Sequence, residues 1–459
     1  MRGGLHKSAS LWAAVAAAGL SFGGVGLTPK PAQAADLGGD CCADLEERVA
    51  ALESTTVRKG NKKVSLTISG RVHANLMAWQ DNFGVTDPGV GGAVNFPFDH
   101  LSDVYFGNSA NNESRVVFDG EGKVSSDVTA GFEMTLKLKP EGTNSQISHQ
   151  FGNTLVPDVT YVFLRSERLG ELRLGSMFSA SDDAYYVDFG APGVVGGAAG
   201  QRFVGDFMLR DTGLPGTLTD ITYAHVLYEL SDSLENRLMY ISPTVGGFTF
   251  KADIGGDDTA SVGLGYSVTH GRWNVSFGAG YQVSRRGDGD SINGGQATQL
   301  DSAATQVLAT ETSRDLGLSA SIFDSGSGLF LTGQYSVAYA DVTGRQDATN
   351  WYGRAGWTKD VSGMGATTID VQYERTDNLL QNDTSAHLWG IGIDQAIDAV
   401  ASNVYVHYQH NSFDTTDVVI NAGDPANTAV ANCGTGAGAA CIVDAQSIDS
   451  VTAGIIVRF

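Results

Sequence analysis

The residue types that most often carry catalysis are present here without the spacing that catalysis needs. No G-x-S-x-G elbow, H-E-x-x-H pair or phosphate-cradling Gly-Lys loop occurs in the 459 residues. His407 and His410 are three apart in a strand-like segment, hence on opposite faces, and cannot chelate one metal together. Asp288, Asp290 and Asn293-Gly294 outline part of a calcium loop, but Ile292 stands at the third ligand position and no Glu closes it. The pairs Gly278/Gly280 and Gly390/Gly392 each fall on one strand parity, which fits bends or close packing better than a nucleotide loop. Cys433 and Cys441 flank a Gly/Ala-rich stretch and are expected to form a disulfide in an oxidising compartment. Cys41 and Cys42 are adjacent; an interchain bond, a vicinal ring and two reduced thiols all fit that spacing. No cofactor and no metal follow from these residues. What remains is charge: 51 acidic against 29 basic residues, a net charge of −22, which excludes a basic footprint for nucleic acid.

The elements that position these charges alternate with a period of two from Val64 onward. In 64–76, Val64, Leu66, Ile68, Val72, Ala74 and Leu76 share one parity, and Ser65, Thr67, Arg71, His73 and Asn75 the other. Segments 128–139, 272–284, 367–374 and 450–459 repeat the pattern, and every interior charge falls on the polar parity. One face of each strand is therefore fully apolar while the other carries Arg, Lys, Glu and Asp. A soluble sandwich has shorter strands and a buried apolar face; membrane barrels have ~10-residue alternating segments, apolar toward lipid and polar toward a wet interior. Trp273 and Tyr281 share the apolar parity eight residues apart. At ~3.4 Å per residue and a tilt near 40° they stand roughly 21 Å apart vertically, close to the spacing of two aromatic girdles. Trp351 and Trp357 form a similar pair.

Sixteen strands are expected, starting near residues 63, 113, 128, 159, 171, 235, 247, 259, 272, 312, 328, 350, 366, 386, 402 and 447. Connections after even-numbered strands are all short, such as 124–127 and 168–170; those after odd-numbered strands are mostly long, such as 80–112, 140–158, 179–234, 285–311 and 411–446. This asymmetry is that of outer-membrane barrels, and an even strand count puts both termini on the short-turn, periplasmic side.

The N-terminus differs from the rest. Residues 1–34 have the basic start (Arg2, His6, Lys7), the apolar Leu11–Leu27 stretch and the Ala32-Gln33-Ala34 end of a secretory signal, so cleavage is expected between Ala34 and Ala35. The alternative, a membrane anchor, meets a stretch rich in Gly and Ala that is marginal for spanning. Residues 35–62 form a separate segment, in which Leu45, Val49 and Leu52 recur at coiled-coil spacing. Two readings stand for 41–57: a periplasmic helix that associates with its copies, or a single amphipathic helix or frayed linker. Residues 63–459 are the expected barrel.

Several segments resemble the Gram-negative general porin family, its alphaproteobacterial members in particular. RLMYISPTVGGF at 237–248 resembles the family's R-x-x-Y-x-S-P-x-x-x-G-F strand–turn–strand motif. KVSLTISGRVHANLMAW at 63–79 is similar to its first strand, and DLEERVAALESTTVRKGNKK to the helix before it in one subgroup. Phe459 matches the terminal aromatic that members present to the barrel-assembly machinery. The resemblance covers essentially the mature chain. It implies an all-β, 16-stranded antiparallel transmembrane barrel with an inward-folded third external loop, preceded here by a short coiled-coil helix. It implies a homotrimer in the outer membrane of a Gram-negative bacterium, in contact with lipid and lipopolysaccharide, passing ions and small hydrophilic solutes by passive diffusion. A substrate-specific channel and a structural or adhesive surface barrel are the alternatives.

A constriction is expected where acids of the long third loop, Asp182, Asp183 and Asp188, face basic wall residues Arg71, Arg115, Lys137 and Arg165. Arg71, Arg115 and Lys137 share the polar parity of their strands; the alternative for Asp182 and Asp183 is ordinary solvated loop residues. The overall acidity leads to an expectation of mild cation preference.

Overall fold

The alternation folds into a closed wall. The computed structural model describes residues 63–81, 102–107, 113–141, 152–182, 187–190, 207–211, 217–223, 226–227, 234–256, 258–284, 313–339, 346–380, 382–415, 418–421 and 440–459. Its sixteen wall strands are β1 (Ser65–Asp81), β2 (Arg115–Lys123), β3 (Val128–Glu141), β4 (Gly152–Ser166), β5 (Gly170–Met177), β6 (Glu235–Ile241), β7 (Phe248–Gly255), β8 (Thr259–His270), β9 (Trp273–Ser284), β10 (Ser313–Asp324), β11 (Leu329–Tyr339), β12 (Ala348–Asp360), β13 (Ala366–Asp377), β14 (Ser385–Ile397), β15 (Ser402–Phe413) and β16 (Gln446–Arg458). Each pairs antiparallel with its neighbour, and β16 returns to β1 with Val72 opposite Val457 and Ala78 opposite Val451. Closure leaves the wall without an unpaired edge, which a lipid surround demands.

The burial pattern is the reverse of a water-soluble fold. On β13, Ile369, Val371 and Tyr373 are exposed on the outer surface, while Asp370, Gln372 and Glu374 are buried inside. The same inversion holds on β1, where Val72 is 57% exposed and His73 is fully buried. Large apolar side chains placed outward around the whole wall are stable only against hydrocarbon. Trp273 lies on the outer face at 40% exposure and Trp351 at 56%, as the girdle spacing requires.

Fifteen of the sixteen strands begin within two residues of expectation; β4 begins at Gly152 rather than near 159. The register shifts between Met134 and Leu136 of β3, where Asp158 and Val159 face Thr135 alone and form a bulge in β4. The bulge switches the outward parity from Leu155 and Pro157 to Val162 and Leu164, which hides the first half of β4 from a period-two reading. The long connections also carry strands of their own. Ser102–Gly107 continues the wall beside the outer half of β1, Met208–Asp211 pairs with Thr217–Thr222, and Val418–Asn421 pairs with Ala440–Val443.

The seam is finished by the C-terminus. Phe459 and Gly70 exchange two backbone hydrogen bonds of 2.9 and 3.1 Å. A Cβ at Gly70 would lie 2.4 Å from the Arg115 carbonyl oxygen and 2.7 Å from the Phe459 ring, so only glycine lets the terminal ring lie on the wall here. The expected signal segment with Ala34 and Ala35, the Leu45/Val49/Leu52 helix and Cys41–Cys42 lie outside the described residues, as do Cys433 and residues 285–312 with Asp288 and Asp290.

Candidate functional site

The connection from β5 to β6 is the third external loop, and its first limb turns into the barrel along the inner wall. At its start the Ala180 N–H donates to Asp253 Oδ2 (2.5 Å) on β7 and to Ser261 Oγ (2.9 Å) on β8. Asp253 is also held by Arg237 of β6 at 2.8 Å, and both side chains are wholly buried. Ser181 Oγ then donates to Gln282 on β9 at 3.1 Å. A Cβ at Gly280 would come within 2.5 Å of the Ser181 backbone, so the strand glycine is where loop and wall touch. Further on, the Phe189 N–H donates to Ser321 of β10 (3.1 Å) and Thr332 of β11 donates to Asp188 (2.8 Å). Arg354 of β12 reaches Asp188 and Asp370, each at 2.6 Å, while its guanidinium stands 5.3 Å from the Phe330 ring centroid. The limb is thus pinned across six consecutive strands, β7 to β12.

The facing arc, β16 and β1–β5, carries charge in levels. Register sets Arg458 opposite Arg71, Arg71 opposite Arg115, and Arg115 opposite Lys137. Four cations therefore lie side by side on the inner face at the ~4.8 Å strand spacing. Lys137 pairs with Asp158 (3.1 Å) and Glu113 (3.8 Å). Arg71 donates to the Glu113 carbonyl oxygen (3.0 Å) and Arg458 to Asn403 (2.5 Å); neither they nor Arg115 form an ion pair among the described residues. Four residues toward the periplasm, Asp119 stands opposite Glu133, with Glu121 below. Glu133 accepts from the Tyr161 hydroxyl at 2.7 Å. A third level at the periplasmic rim pairs Arg165 and Arg173 with Glu171. Like charges opposite one another weaken a sheet; a water-filled interior that admits counter-ions relieves that cost.

A Ser–His–Asp group gathers on the outer surface, where Ser412 and Asp414 surround His387. Its geometry is not that of a nucleophile and its base. Ser412 Oγ lies 3.1 Å from both ring nitrogens and donates to Asp414 at 2.9 Å, so it is aligned with neither nitrogen lone pair. His410, outward, bonds Asp449 at 2.8 Å, whereas His407 faces inward and is buried, as strand alternation requires.

The sequence model of the Gram-negative porin family matches residues 13–416. The chain belongs to the Gram-negative porin family. A comparison with curated proteins finds no match. Among solved structures, the anion-selective porin from Comamonas acidovorans aligns with a TM-score of 0.51 at 18% identity, covering 86% of this chain and 100% of that one. The loop L8 deletion mutant of OmpT, an outer membrane protein of Vibrio cholerae, aligns at 0.51 and 13%, with 86% and 100% coverage. The trimer form of in-vitro folded OmpT aligns at 0.50 and 14%, with 86% and 99% coverage. At these identities the likeness speaks for the fold. The porin is an outer-membrane protein, and its barrel is a water-filled passage for passive diffusion of ions and small hydrophilic solutes.

Within the porin, the residues expected at a constriction are distributed unevenly. Arg71, Arg115 and Lys137 come together in one row, whereas Arg165 opposes Thr129, eight positions down β3 from Lys137. Asp188 is held by Arg354 on the β12 side of the wall. Asp182 donates its N–H to Ser179 Oγ (3.3 Å), and Asp183 lies outside the described residues. Arg458, Asp119, Glu133 and Arg354 were missed by sequence reasoning. Arg458 was findable: it lies on the polar parity of the strand that must close on β1.

Proposed function

We propose that this porin is a homotrimeric general diffusion channel whose ion preference is set by two opposed charge levels on one inner arc. The observation that carries this is the cation row Arg458–Arg71–Arg115–Lys137 standing above Asp119 and Glu133. The levels are four residues apart, roughly 13 Å along the strand, which exceeds the ~8 Å Debye length at physiological salt. Each level therefore acts as its own filter, and distant loop charge is screened from both. Asp182 and Asp183 of the third loop complete the constriction opposite the row. The two filters nearly offset, and Asp182 and Asp183 beside them tip the remaining mild preference toward cations.

The test is reversal potential across a bilayer in a tenfold KCl gradient. Replacing Arg71 and Arg115 by Ser should move it toward cations, and Asp119→Asn with Glu133→Gln toward anions. Each shift should be on the order of 10 mV within the ~59 mV that such a gradient allows. Asp182→Asn with Asp183→Asn should act in the same sense as the second pair. Equal potentials in all variants would show that the charge levels do not set the ion preference.

Support for the trimer comes from the outer surface. Outward Tyr and Trp run from Tyr240 on β6 to Tyr408 on β15, yet among the described residues none points outward on β16 or β1–β5. An outer arc without Tyr or Trp fits cover by another protomer better than a lipid interface, where those two residues are enriched. The solved OmpT trimer form has the same fold. After removal of residues 1–34, segment 35–62 remains periplasmic and its Leu45/Val49/Leu52 seam adds to trimer contacts. Deleting residues 35–58 should lower the temperature at which trimers dissociate on gels while leaving the barrel folded; an unchanged temperature would deny the segment that role. Cys433 and Cys441 pair to staple the last long loop, which mass spectrometry of unreduced peptides would reveal as one cross-linked species and two free thiols would refute. The misaligned Ser412–His387 contact supports a non-enzymatic wall. The outward apolar band meets lipid and lipopolysaccharide, and Phe459 is the signal read by the barrel-assembly machinery.

A further inference from the structure

We propose that the outer face of β9–β13 holds one anionic glycerophospholipid of the periplasmic leaflet, with an acyl chain in an apolar groove and its phosphate between Arg272 and Lys359. The inference rests on the outer-membrane barrel and not on the ion filters of the lumen. An open groove of about 570 Å³ runs along the outer surface there, with Trp273, Ile322, Leu331, Trp357, Ile369 and Val371 among its walls. Its floor is Ala355 of β12, which register places between Leu331 of β11 and Val371 of β13. One small side chain between two large ones leaves a narrow trough. Trp273 starts β9 and Trp357 lies near the end of β12, so the groove opens at the short-turn, periplasmic rim.

Two cations converge on the connection 325–328 at that rim. Arg272 is 61% exposed, and its guanidinium stands 5.1 Å from the Trp273 ring centroid. Its side chain runs past Gly326, where a Cβ would lie 3.3 Å from Arg272 Cδ. Lys359 is exposed, shares the outward parity of Ala355 and Trp357, and donates to the Gly326 carbonyl oxygen at 3.4 Å. The Trp357 indole N–H donates to the Ser327 carbonyl oxygen at 2.8 Å, which fixes its ring at the head of the groove. The acids of this rim are engaged with the turns. Buried Asp324 accepts from the Gly326 N–H (3.0 Å) and Ser327 Oγ (2.8 Å) as well as from Arg272 (3.1 Å). Asp360 accepts from the Gly363 N–H at 2.7 Å. Arg272 and Lys359 thus bring positive charge to the surface above the groove.

Depth and charge identify the occupant. Lipid tails surround the wall in any case, so the groove gains nothing from the hydrophobic effect and holds a chain by fit alone. The selective part is the head group. Lys and Arg gathered at a membrane surface attract anionic lipids, and a guanidinium matches phosphate oxygens two at a time. The short-turn rim meets the periplasmic leaflet, whereas lipopolysaccharide fills the opposite one. Another protomer does not fit this face, because Trp273 and Trp357 are the residues of a lipid interface and the arc without them lies across the barrel.

The test compares wild type, Ala355→Phe, which fills the groove, and Arg272→Gln/Lys359→Gln, which removes the cations. All are purified from outer membranes in detergent and checked for heat-modifiable gel migration. Phosphatidylglycerol, phosphatidylcholine or lipid A is then added, and native mass spectrometry counts the lipids each chain retains. Wild type should retain one phosphatidylglycerol per chain, and roughly fivefold less phosphatidylcholine or lipid A. Each variant should lower phosphatidylglycerol occupancy by a similar factor while single-channel conductance stays at the wild-type value, since neither change touches the lumen. Equal phosphatidylglycerol occupancy in wild type and both variants overturns the site. A loss in the charge variant alone overturns the groove as the seat of the chain, and a preference for lipid A overturns the assignment to the periplasmic leaflet. None of these results depends on the ion preference or the conductance of the wild type, so the site and the channel reading fail separately.

Discussion

Arg354→Ala should release the inner end of the third loop's first limb and produce a larger, noisier conductance. Arg354 joins loop Asp188 to wall Asp370 at 2.6 Å each, and only 1% of its side chain is exposed. Removing it leaves two carboxylates close together without their cation. Breaking a buried pair from one side costs about 3–5 kcal/mol. The wall itself is fastened by the β12–β13 backbone ladder, from Thr349–Asp377 to Asp360–Ala366, so the barrel should survive. The loop has less to hold it: the Ser321 contact to Phe189 and the Thr332 contact to Asp188 remain. The variant should therefore migrate as a folded barrel on gels while its open-channel noise and mean conductance rise. Arg354→Lys should recover only part of the wild-type trace, because a point charge cannot bridge two carboxylates with the geometry of a guanidinium. A quiet, wild-type trace from a folded Arg354→Ala barrel would contradict the clamp.

Asp253→Ala should lower the stability of the barrel as well as loosen the loop. Asp253 accepts from Arg237, Ser261 and the Ala180 N–H, so one carboxylate serves two strands and the entry of the loop. Its loss deprives the buried Arg237 of one acidic partner, leaving Glu235 at 3.1 Å. The expected cost is again about 3–5 kcal/mol, with the Ala180 N–H left to Ser261 Oγ alone. A drop in barrel melting temperature together with raised conductance is the predicted pair of results. The double variant Asp253→Ala/Arg237→Met should regain stability, since replacing both charges by apolar groups removes the buried cation together with its partner. It should not regain loop anchoring, so conductance stays high. Melting and conductance that both match wild type would show that the loop entry is held elsewhere.

The wall was legible because barrel physics writes itself into parity. A strand that meets lipid on one side and water on the other cannot hide its alternation, and short turns beside long loops fix which end is periplasmic. β4 was misread at its start because a bulge shifts the parity in mid-strand. The row Arg71–Arg115–Lys137 was visible as inward parity on three consecutive strands, but its fourth member needed the β16–β1 register. The acids of the third loop were assigned by length and composition alone. Pattern cannot say which wall a loop lies against, and so Asp188 is found held by Arg354 rather than standing free. The same limit hid the cluster in which Phe207, Leu209 and Tyr223 of the loop cover Trp79, Leu388 and Phe413 of the wall.

Single-channel recording of the purified wild-type protein in a planar bilayer decides whether the barrel is an open diffusion channel. A general diffusion channel gives stable, ohmic steps whose size scales with the bulk conductivity of the KCl solution, weak ion preference, and no saturation or block by any one small solute. A folded barrel that gives no steps, or steps that saturate and are blocked by a single solute, would contradict a general diffusion channel.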